Sequence, residues 1–295
     1  MIRSESTEDV PSPVMPPAVT KRISQFVGER KGSQKLLEEG FLPPGSVLLT
    51  GAPGTGKTML SRWISRELEL PFVTLDLATS ISSFLGKTGF NLRRILDFAR
   101  SRPCVLLLDE FDAIAKRRDD SSEVGELKRI VNVLLKELEN WPLQSVLIAA
   151  TNHPELLDRA ISRRFDLVID IPMPDEMQRI EILRQSGRRF SDEIPAEILH
   201  AMAVSMEGVS GSELDSLMNA AVRQHLATEQ ELVRSLVEEF QLRLSARLTG
   251  QSIGEVVRSV QANAKGVFKV RELAELFGKA PSTIQHHLKK EVQRG

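Results

Sequence analysis

The run Gly51-Ala52-Pro53-Gly54-Thr55-Gly56-Lys57-Thr58 has the spacing GxxxxGKT, and each residue type in it suits the binding of a phosphate chain. Glycines let a backbone turn tightly enough for consecutive N–H groups to face one cluster of anionic oxygens, and a helix N-terminus adds partial positive charge. Gly51, Pro53, Gly54, Thr55 and Gly56 are therefore expected to shape a phosphate cradle, with Met59 the next contact along the chain. Lys57 has the reach for β- and γ-phosphates, and the Thr58 hydroxyl suits an Mg²⁺ shell. The competing reading is a Gly-rich turn with a chance lysine. It leaves unexplained why the run falls between an apolar stretch, Val47-Leu48-Leu49, and a helical pattern opening at Met59.

Three further groups could do chemistry on such a phosphate. Val105-Leu106-Leu107-Leu108-Asp109-Glu110 is an apolar run ending in two carboxylates. Asp109 can bind Mg²⁺ directly or through water, and Glu110 can orient and polarise an attacking water, although acidic residues also end strands simply because the chain emerges into solvent. Asn152 follows the apolar run that ends Ala149-Ala150-Thr151. Its amide suits a water or a γ-phosphate, and equally a turn before His153-Pro154. Arg163 and Arg164, in Leu157-Asp158-Arg159-Ala160-Ile161-Ser162-Arg163-Arg164-Phe165-Asp166, read either as solvated surface charge or as an arginine finger.

These groups need a frame that brings them together. Strands are predicted at 46–50, 71–76, 104–109, 144–150 and 167–171, with helices at 57–69, 89–101, 123–140 and 155–161. Strands that read as continuous apolar runs separated by helices imply a parallel sheet covered on both faces, whose ligands bind at the carboxyl ends of the strands. Residues 1–20, rich in Ser, Pro and acidic side chains, read as a disordered tail, and 21–40 as a helical pattern closed by Gly40 and Pro43-Pro44. After Pro172 and Pro174 only helical patterns follow, at 175–186, 195–206, 210–226 and 229–247, then at 253–262, 269–277 and 282–291. The expected organisation is a tail at 1–20, a large α/β domain at 21–172, a small helical domain at 173–250 and a helical segment at 251–295.

Composition narrows the setting. With 295 residues, 41% of them hydrophobic, the chain can bury a full core, and a formal charge of −1 offers no global attraction for nucleic acid or an anionic membrane. The single cysteine, Cys104, beside the apolar run Val105-Leu106-Leu107-Leu108, has no disulfide partner within the chain and reads as a small core residue rather than a nucleophile. No membrane-length apolar stretch is present, and Glu5, Glu8 and Asp9 occupy the N-terminus where a secretory signal would be basic and then apolar. A soluble, cytoplasmic protein without membrane contact is expected.

From Leu36-Leu37-Glu38-Glu39-Gly40-Phe41-Leu42-Pro43-Pro44 to about residue 227 the chain resembles the AAA+ ATPases, specifically the classical AAA clade of protein remodellers. The resemblance implies a P-loop NTPase three-layer α/β sandwich with a parallel sheet, followed by a small all-helical lid domain. It implies ATP as substrate and Mg²⁺ as cofactor. By resemblance Lys57 and Thr58 serve phosphate and metal, Asp109 and Glu110 metal and catalytic water, and Asn152 is the first sensor. Arg163 and Arg164 become fingers acting on a neighbouring subunit's nucleotide, so a homo-oligomeric ring, usually a hexamer, is implied. Phe84-Leu85-Gly86 resembles a pore loop that grips an extended polypeptide, with Lys87 and Gly89 where acidic residues are common. Gly208-Val209-Ser210-Gly211-Ser212-Glu213-Leu214 resembles the start of the second-sensor helix, with Ser212 at the sensor position. Phe26-Val27-Gly28 is the nearest candidate for contacting adenine. Short bacterial-type members of this kind act on partner proteins, including proteases and HORMA-type signalling adaptors.

The C-terminal stretch supplies a second idea. Residues 268–288 resemble a helix-turn-helix, with Leu273, Phe277, Ile284 and Leu288 as its small core and Ala274 and Gly278 spaced for a close helix crossing. From Lys265 to Gly295 there are seven Lys or Arg against three acidic residues. That excess suits phosphate contact, with Gln285, His286 and Lys289 on the exposed helix, so residues 266–295 are candidates for DNA binding. The alternative is a helical pair that caps the small domain or docks a protein. A DNA-associated AAA+ ATPase, a transposition or replication accessory, is therefore the second functional reading.

Overall fold

The computed structural model describes residues 3–5, 10–77, 96–97, 100–113, 141–247, 254, 257–258, 260 and 269–289. The chain divides into two compact units, Met1–Pro172 and Met173–Gly295.

The first unit is built on a sheet of β1 (Arg3–Glu5), β2 (Ser46–Thr50), β3 (Phe72–Asp76), β4 (Val105–Asp109), β5 (Val146–Thr151) and β6 (Leu167–Asp170), in the order β1-β3-β4-β5-β2-β6. All pairs are parallel except β1 with β3. β2 is buried at every position and packs both faces. Val47 and Leu49 join the core formed with Ile23 and Phe26 of α1 (Pro17–Lys31) and Leu60 and Ile64 of α3 (Lys57–Glu67). Leu48 joins Leu106, Leu108 and Leu147 on the other face, together with Phe111 and Phe165. Apolar residues at both phases of the strand period make this a three-layer arrangement. The register aligns Thr50 with Thr151 and Asp170, and Asp76 with Asp109, so polar groups emerge together at the carboxyl edge.

Within the tail expected over residues 1–20, the described residues 3–5 and 10–20 are tied into the first unit. Arg3–Glu5 pairs with β3, the Arg66 guanidinium of α3 donates to the Val10 carbonyl, and α1 begins at Pro17, which suits a first helical position. The pattern expected at 21–40 divides at Gly32 into α1 and α2 (Ser33–Glu38). The helix expected at 155–161 is shorter and broken: a 3₁₀ turn at Pro154–Leu156 precedes α4 (Arg159–Ser162), because Leu157 adopts an extended conformation between them. The helices expected at 89–101 and 123–140 lie largely outside the described residues, as does most of 253–262.

The second unit is helical: α5 (Glu176–Gly187), α6 (Ala196–Ser205), α7 (Gly211–Thr228), α8 (Leu232–Arg247), α9 (Val270–Leu276) and α10 (Pro281–Lys289), with a 3₁₀ turn at Arg188–Glu193. Asp175 and Ser210 each start a helix with a reciprocal capping box, to Gln178 and Glu213 respectively. Leu273, Phe277 and Ile284 are buried, and they belong to the same core as Leu217 and Phe240. Phe277 meets Phe240 edge-on, with ring centroids 6.2 Å apart. Gly278 ends α9 and also lies close to α8, where a Cβ built on it would stand 3.2 Å from Gln241 Oε1. It stands at φ +59, with its own N–H donating to Glu275 O at 3.1 Å and Lys279 N–H to Ala274 O at 2.9 Å, the pattern of a Schellman cap.

Candidate active site

Because β2 is buried to its end, the chain must turn sharply on leaving the sheet. Gly51 (φ +144), Gly54 (φ +76) and Gly56 (φ +97) make that turn. The Thr55 hydroxyl closes it by donating to Ala52 O at 2.9 Å, and α3 opens at Lys57 with Leu60 N–H bonded to Gly56 O at 2.8 Å. Lys57 is buried across the loop, its ammonium donating to Gly51 O at 2.7 Å and Ala52 O at 2.8 Å. Burial pulls its pKa below the ordinary lysine value, against the pull of Asp109, Asp112 and Asp170. A phosphate entering the cradle would offer this amine a full negative charge in place of two carbonyl oxygens. Pro53 is exposed at the tip, while Thr58 and Met59 are half-buried in the first turn of α3.

The strand order places β5 between β4 and β2, yet the first carboxylate still reaches the loop. The Thr58 hydroxyl donates to Asp109 Oδ2 at 3.4 Å. Two half-buried oxygen donors side by side at the opening of a phosphate cradle fit Mg²⁺, which favours hard oxygen ligands and bridges to phosphate. Thr58 and Asp109 would hold it; when bound, it neutralises charge on the β- and γ-phosphate oxygens. Asp109 Oδ1 accepts the Glu110 N–H at 2.9 Å, and Glu110 is exposed with a left-handed φ of +53. A non-glycine residue held there carries roughly 1–3 kcal/mol of strain, and the turn directs the chain off the strand immediately after Asp109.

Asn152 is half-buried directly after β5, in register beyond Thr50 of the phosphate-loop strand. Arg163 and Arg164 are both exposed just after α4, whereas the next residue, Phe165, is buried edge-on against Phe111 with centroids 5.8 Å apart. The aromatic contact ties the arginine-bearing turn to the Glu110 turn. Ser212 is exposed in the first turn of α7. Phe84, Leu85 and Gly86 lie outside the described residues. Phe26 and Val27 are core residues of α1, and Gly28 beside them is exposed. Gln285, His286 and Lys289 are exposed on α10.

Three residues of this edge escape a motif reading. Met15 reaches the loop: a Cβ built on Gly56 would stand 3.2 Å from the Met15 methyl carbon. Nothing in the proline-rich stretch around Met15 signals that placement. Asp170 accepts the Thr50 hydroxyl at 2.9 Å. Asp112, buried two residues after Glu110, accepts the Thr151 hydroxyl at 3.0 Å; an acidic residue following Phe111 in an apolar context was its one available signal.

A glycine-rich loop between a central parallel strand and a helix, facing an Asp-Glu pair on the same sheet edge, defines a P-loop NTPase. Residues 47–173 match the sequence model of the ATPase family associated with various cellular activities (AAA). The chain is 34% identical over 233 residues to the uncharacterized AAA family ATPase y4kL of Sinorhizobium fredii, covering 77% of this chain and 69% of that protein. It is 34% identical over 213 residues to the ATP-dependent zinc metalloprotease FtsH of Acidothermus cellulolyticus, covering 69% of this chain and 32% of that protein. Over 219 residues it is 33% identical to the proteasome-activating nucleotidase of Methanococcus maripaludis, covering 72% of this chain and 53% of the relative. The chain belongs to the AAA family: it is an ATPase, binding ATP and hydrolysing it. It spans about two thirds of the first of these relatives and a third to a half of the other two. Among the described residues no helix is long and apolar enough to cross a membrane.

Proposed function

We propose that the protein is an Mg²⁺-dependent ATPase that works as a homo-oligomeric ring of six copies and uses hydrolysis to remodel a partner protein. In this reading Gly51, Pro53, Gly54, Thr55, Gly56, Lys57, Thr58 and Met59 hold the nucleotide, and Thr58 and Asp109 the metal. Glu110 polarises the attacking water, Asn152 holds the water or γ-phosphate, and Arg163 and Arg164 act on the next copy's nucleotide. Residues 21–172 form the ATPase domain, 173–250 the lid and 251–295 a C-terminal helical segment. The observation that carries the ring is the exposure of Arg163 and Arg164 beside the buried Phe165, which leaves both guanidinium-bearing residues on the surface where another copy can meet them. The likeness to a proteasome-activating nucleotidase and to an ATP-dependent protease supports protein as the substrate. A cytoplasmic setting suits the single, buried Cys104.

Phe84, Leu85 and Gly86 are the residues proposed to grip the polypeptide. With a partner captured on the Glu110→Gln form, Phe84→Ala should lower remodelling far more than basal hydrolysis. Equal loss of both would remove the pore assignment. The second reading, a DNA-associated ATPase, is favoured by the exposure of Gln285, His286 and Lys289 on α10. Duplex DNA that accelerates turnover, with the acceleration lost on deleting residues 266–295, would establish it in place of the first.

A further inference from the structure

Asp112 is a carboxylate at 4% exposure in the turn that follows Glu110. A buried carboxylate is costly unless its oxygens are satisfied, so the identity of its partners matters. One is the Thr151 hydroxyl, which donates to Asp112 Oδ1 at 3.0 Å. The same hydroxyl oxygen accepts the His153 N–H at 3.0 Å. Its single proton thus goes to Asp112 and a lone pair to His153, and the residues on both sides of Asn152 are fixed to one anchor. A backbone bond spans the same gap, Phe111 N–H to Ala150 O at 2.9 Å, so the turn after β4 and the end of β5 are joined twice within a few residues. The turn itself is closed by Ala113 N–H to Glu110 O at 2.9 Å, which puts Glu110 and Asp112 in one small rigid loop.

We infer that Asp112 and Thr151 are positioning residues for Asn152: they set its amide at the carboxyl end of β5 and in fixed relation to Glu110. The inference rests on the proposed role of Asn152 toward water or γ-phosphate. Neither residue need touch the nucleotide. Thr151→Val removes the hydroxyl with little change of shape, leaving the Asp112 carboxylate without that donor and the His153 N–H without its acceptor. The main effect belongs in turnover, because substrate affinity is set chiefly by the loop at Gly51–Thr58, and displacement of a reacting group by about 1 Å costs on the order of 10²-fold in rate.

The test is steady-state ATP hydrolysis by the full chain, with melting temperatures alongside, for Thr151→Val, Thr151→Ser, Asn152→Ala, Asp112→Asn and the doubles of Thr151→Val and Asp112→Asn with Asn152→Ala. Thr151→Val should lower kcat by ~10- to ~100-fold while KM for ATP moves less than about threefold, and Thr151→Ser should recover most of the rate. Adding Thr151→Val to Asn152→Ala should cost nothing further, since the group being positioned is already gone. Should Thr151→Val not fold, Asp112→Asn carries the same test: it exchanges a charged acceptor of the Thr151 proton for a weaker neutral one, so kcat should fall by about threefold or more, that loss should vanish in the Asn152→Ala background, and an unchanged kcat overturns the inference. A kcat for Thr151→Val within about twofold of wild type, or losses that multiply in either double, overturns the inference. Wild-type turnover by Asn152→Ala overturns the role of Asn152 itself, and the positioning claim with it; slow Asn152→Ala beside fast Thr151→Val overturns the positioning claim alone.

Discussion

Replacing Gly51 with alanine tests how tightly the phosphate loop is built against the sheet. The added Cβ would stand 2.3 Å from Ile171 O and 3.1 Å from Thr55 Oγ1, on a backbone at φ +144. Ile171 has little room to retreat, because its N–H donates to Thr50 O at 2.8 Å and its side chain is 1% exposed in the core. Two costs therefore combine: about 1–3 kcal/mol for an L-residue in that conformation and about 1–3 kcal/mol for the overlap. The sum, roughly 2–6 kcal/mol, corresponds to a melting temperature lowered by about 2–4 °C per kcal/mol for a unit of this size. Gly28→Ala is the matched control. Gly28 lies within α1, and nothing stands within 4 Å of its Cβ position, so alanine should stabilise by up to about 1 kcal/mol through helix propensity. Both tryptophans, Trp63 and Trp141, are partly buried in the cores of the first unit, so their fluorescence during urea unfolding follows that unit directly. An unfolding midpoint for Gly51→Ala equal to wild type, or an equal loss in Gly28→Ala, would refute the close approach of loop and β6.

Two other perturbations are informative. Glu110→Gln keeps the side chain's size but removes its basicity, so ATP should remain bound while turnover falls by ~10²-fold or more; filter binding of labelled ATP beside phosphate release checks this, and unchanged turnover would exclude Glu110 from the mechanism. Cys104 is buried, and burial raises its thiol pKa above the ordinary value. The folded chain therefore holds the thiol proton more tightly than the unfolded chain. Stability from this group is present below the unfolded thiol pKa and is lost as pH rises through the folded one. At pH 8 a disulfide reagent should label Cys104 only after denaturant unfolds the chain, and rapid labelling of the native protein would contradict its placement.

The parts legible in the sequence were those with a short-range physical signature. The loop at Gly51–Thr58 carries its own turn chemistry, and β2, β4 and β5 read as strands because an unbroken apolar run serves both faces of a covered sheet. The start of α7 was visible in Ser210 and Glu213, which satisfy each other's backbone donors. What escaped depends on contacts distant along the chain. Met15 reaches Gly56 only because residues 10–16 are drawn back to the first unit, with Arg66 holding Val10; a Ser- and Pro-rich composition speaks for weak local structure and says nothing of such docking. That α1 presents Phe26 and Val27 to the core depends likewise on packing against strands distant in the chain. Gly278 has the spacing of a close approach, and its second role, as the left-handed cap of α9 beside Gln241, emerges only from its hydrogen bonds and neighbours. The partnership of Asp112 and Thr151 joins residues 39 apart through a hydroxyl, with no pattern in either segment to announce it.

The central claim, that hydrolysis occurs in a site built on one copy and completed by the arginines of the next, is tested most directly by mixing two inactive variants. Lys57→Ala lacks the phosphate-facing amine and keeps Arg163 and Arg164; Arg163→Ala/Arg164→Ala keeps the phosphate loop and lacks the fingers. An arginine finger is typically worth ~10³- to ~10⁵-fold in rate, so each variant alone should be nearly silent. If the arginines act on a neighbour, the mixture should hydrolyse ATP well above the sum of its parts, because some interfaces pair an intact loop with intact arginines, and the gain should grow with protein concentration. Activity equal to the sum of the two separate variants, or full turnover by the arginine variant alone, would contradict the account.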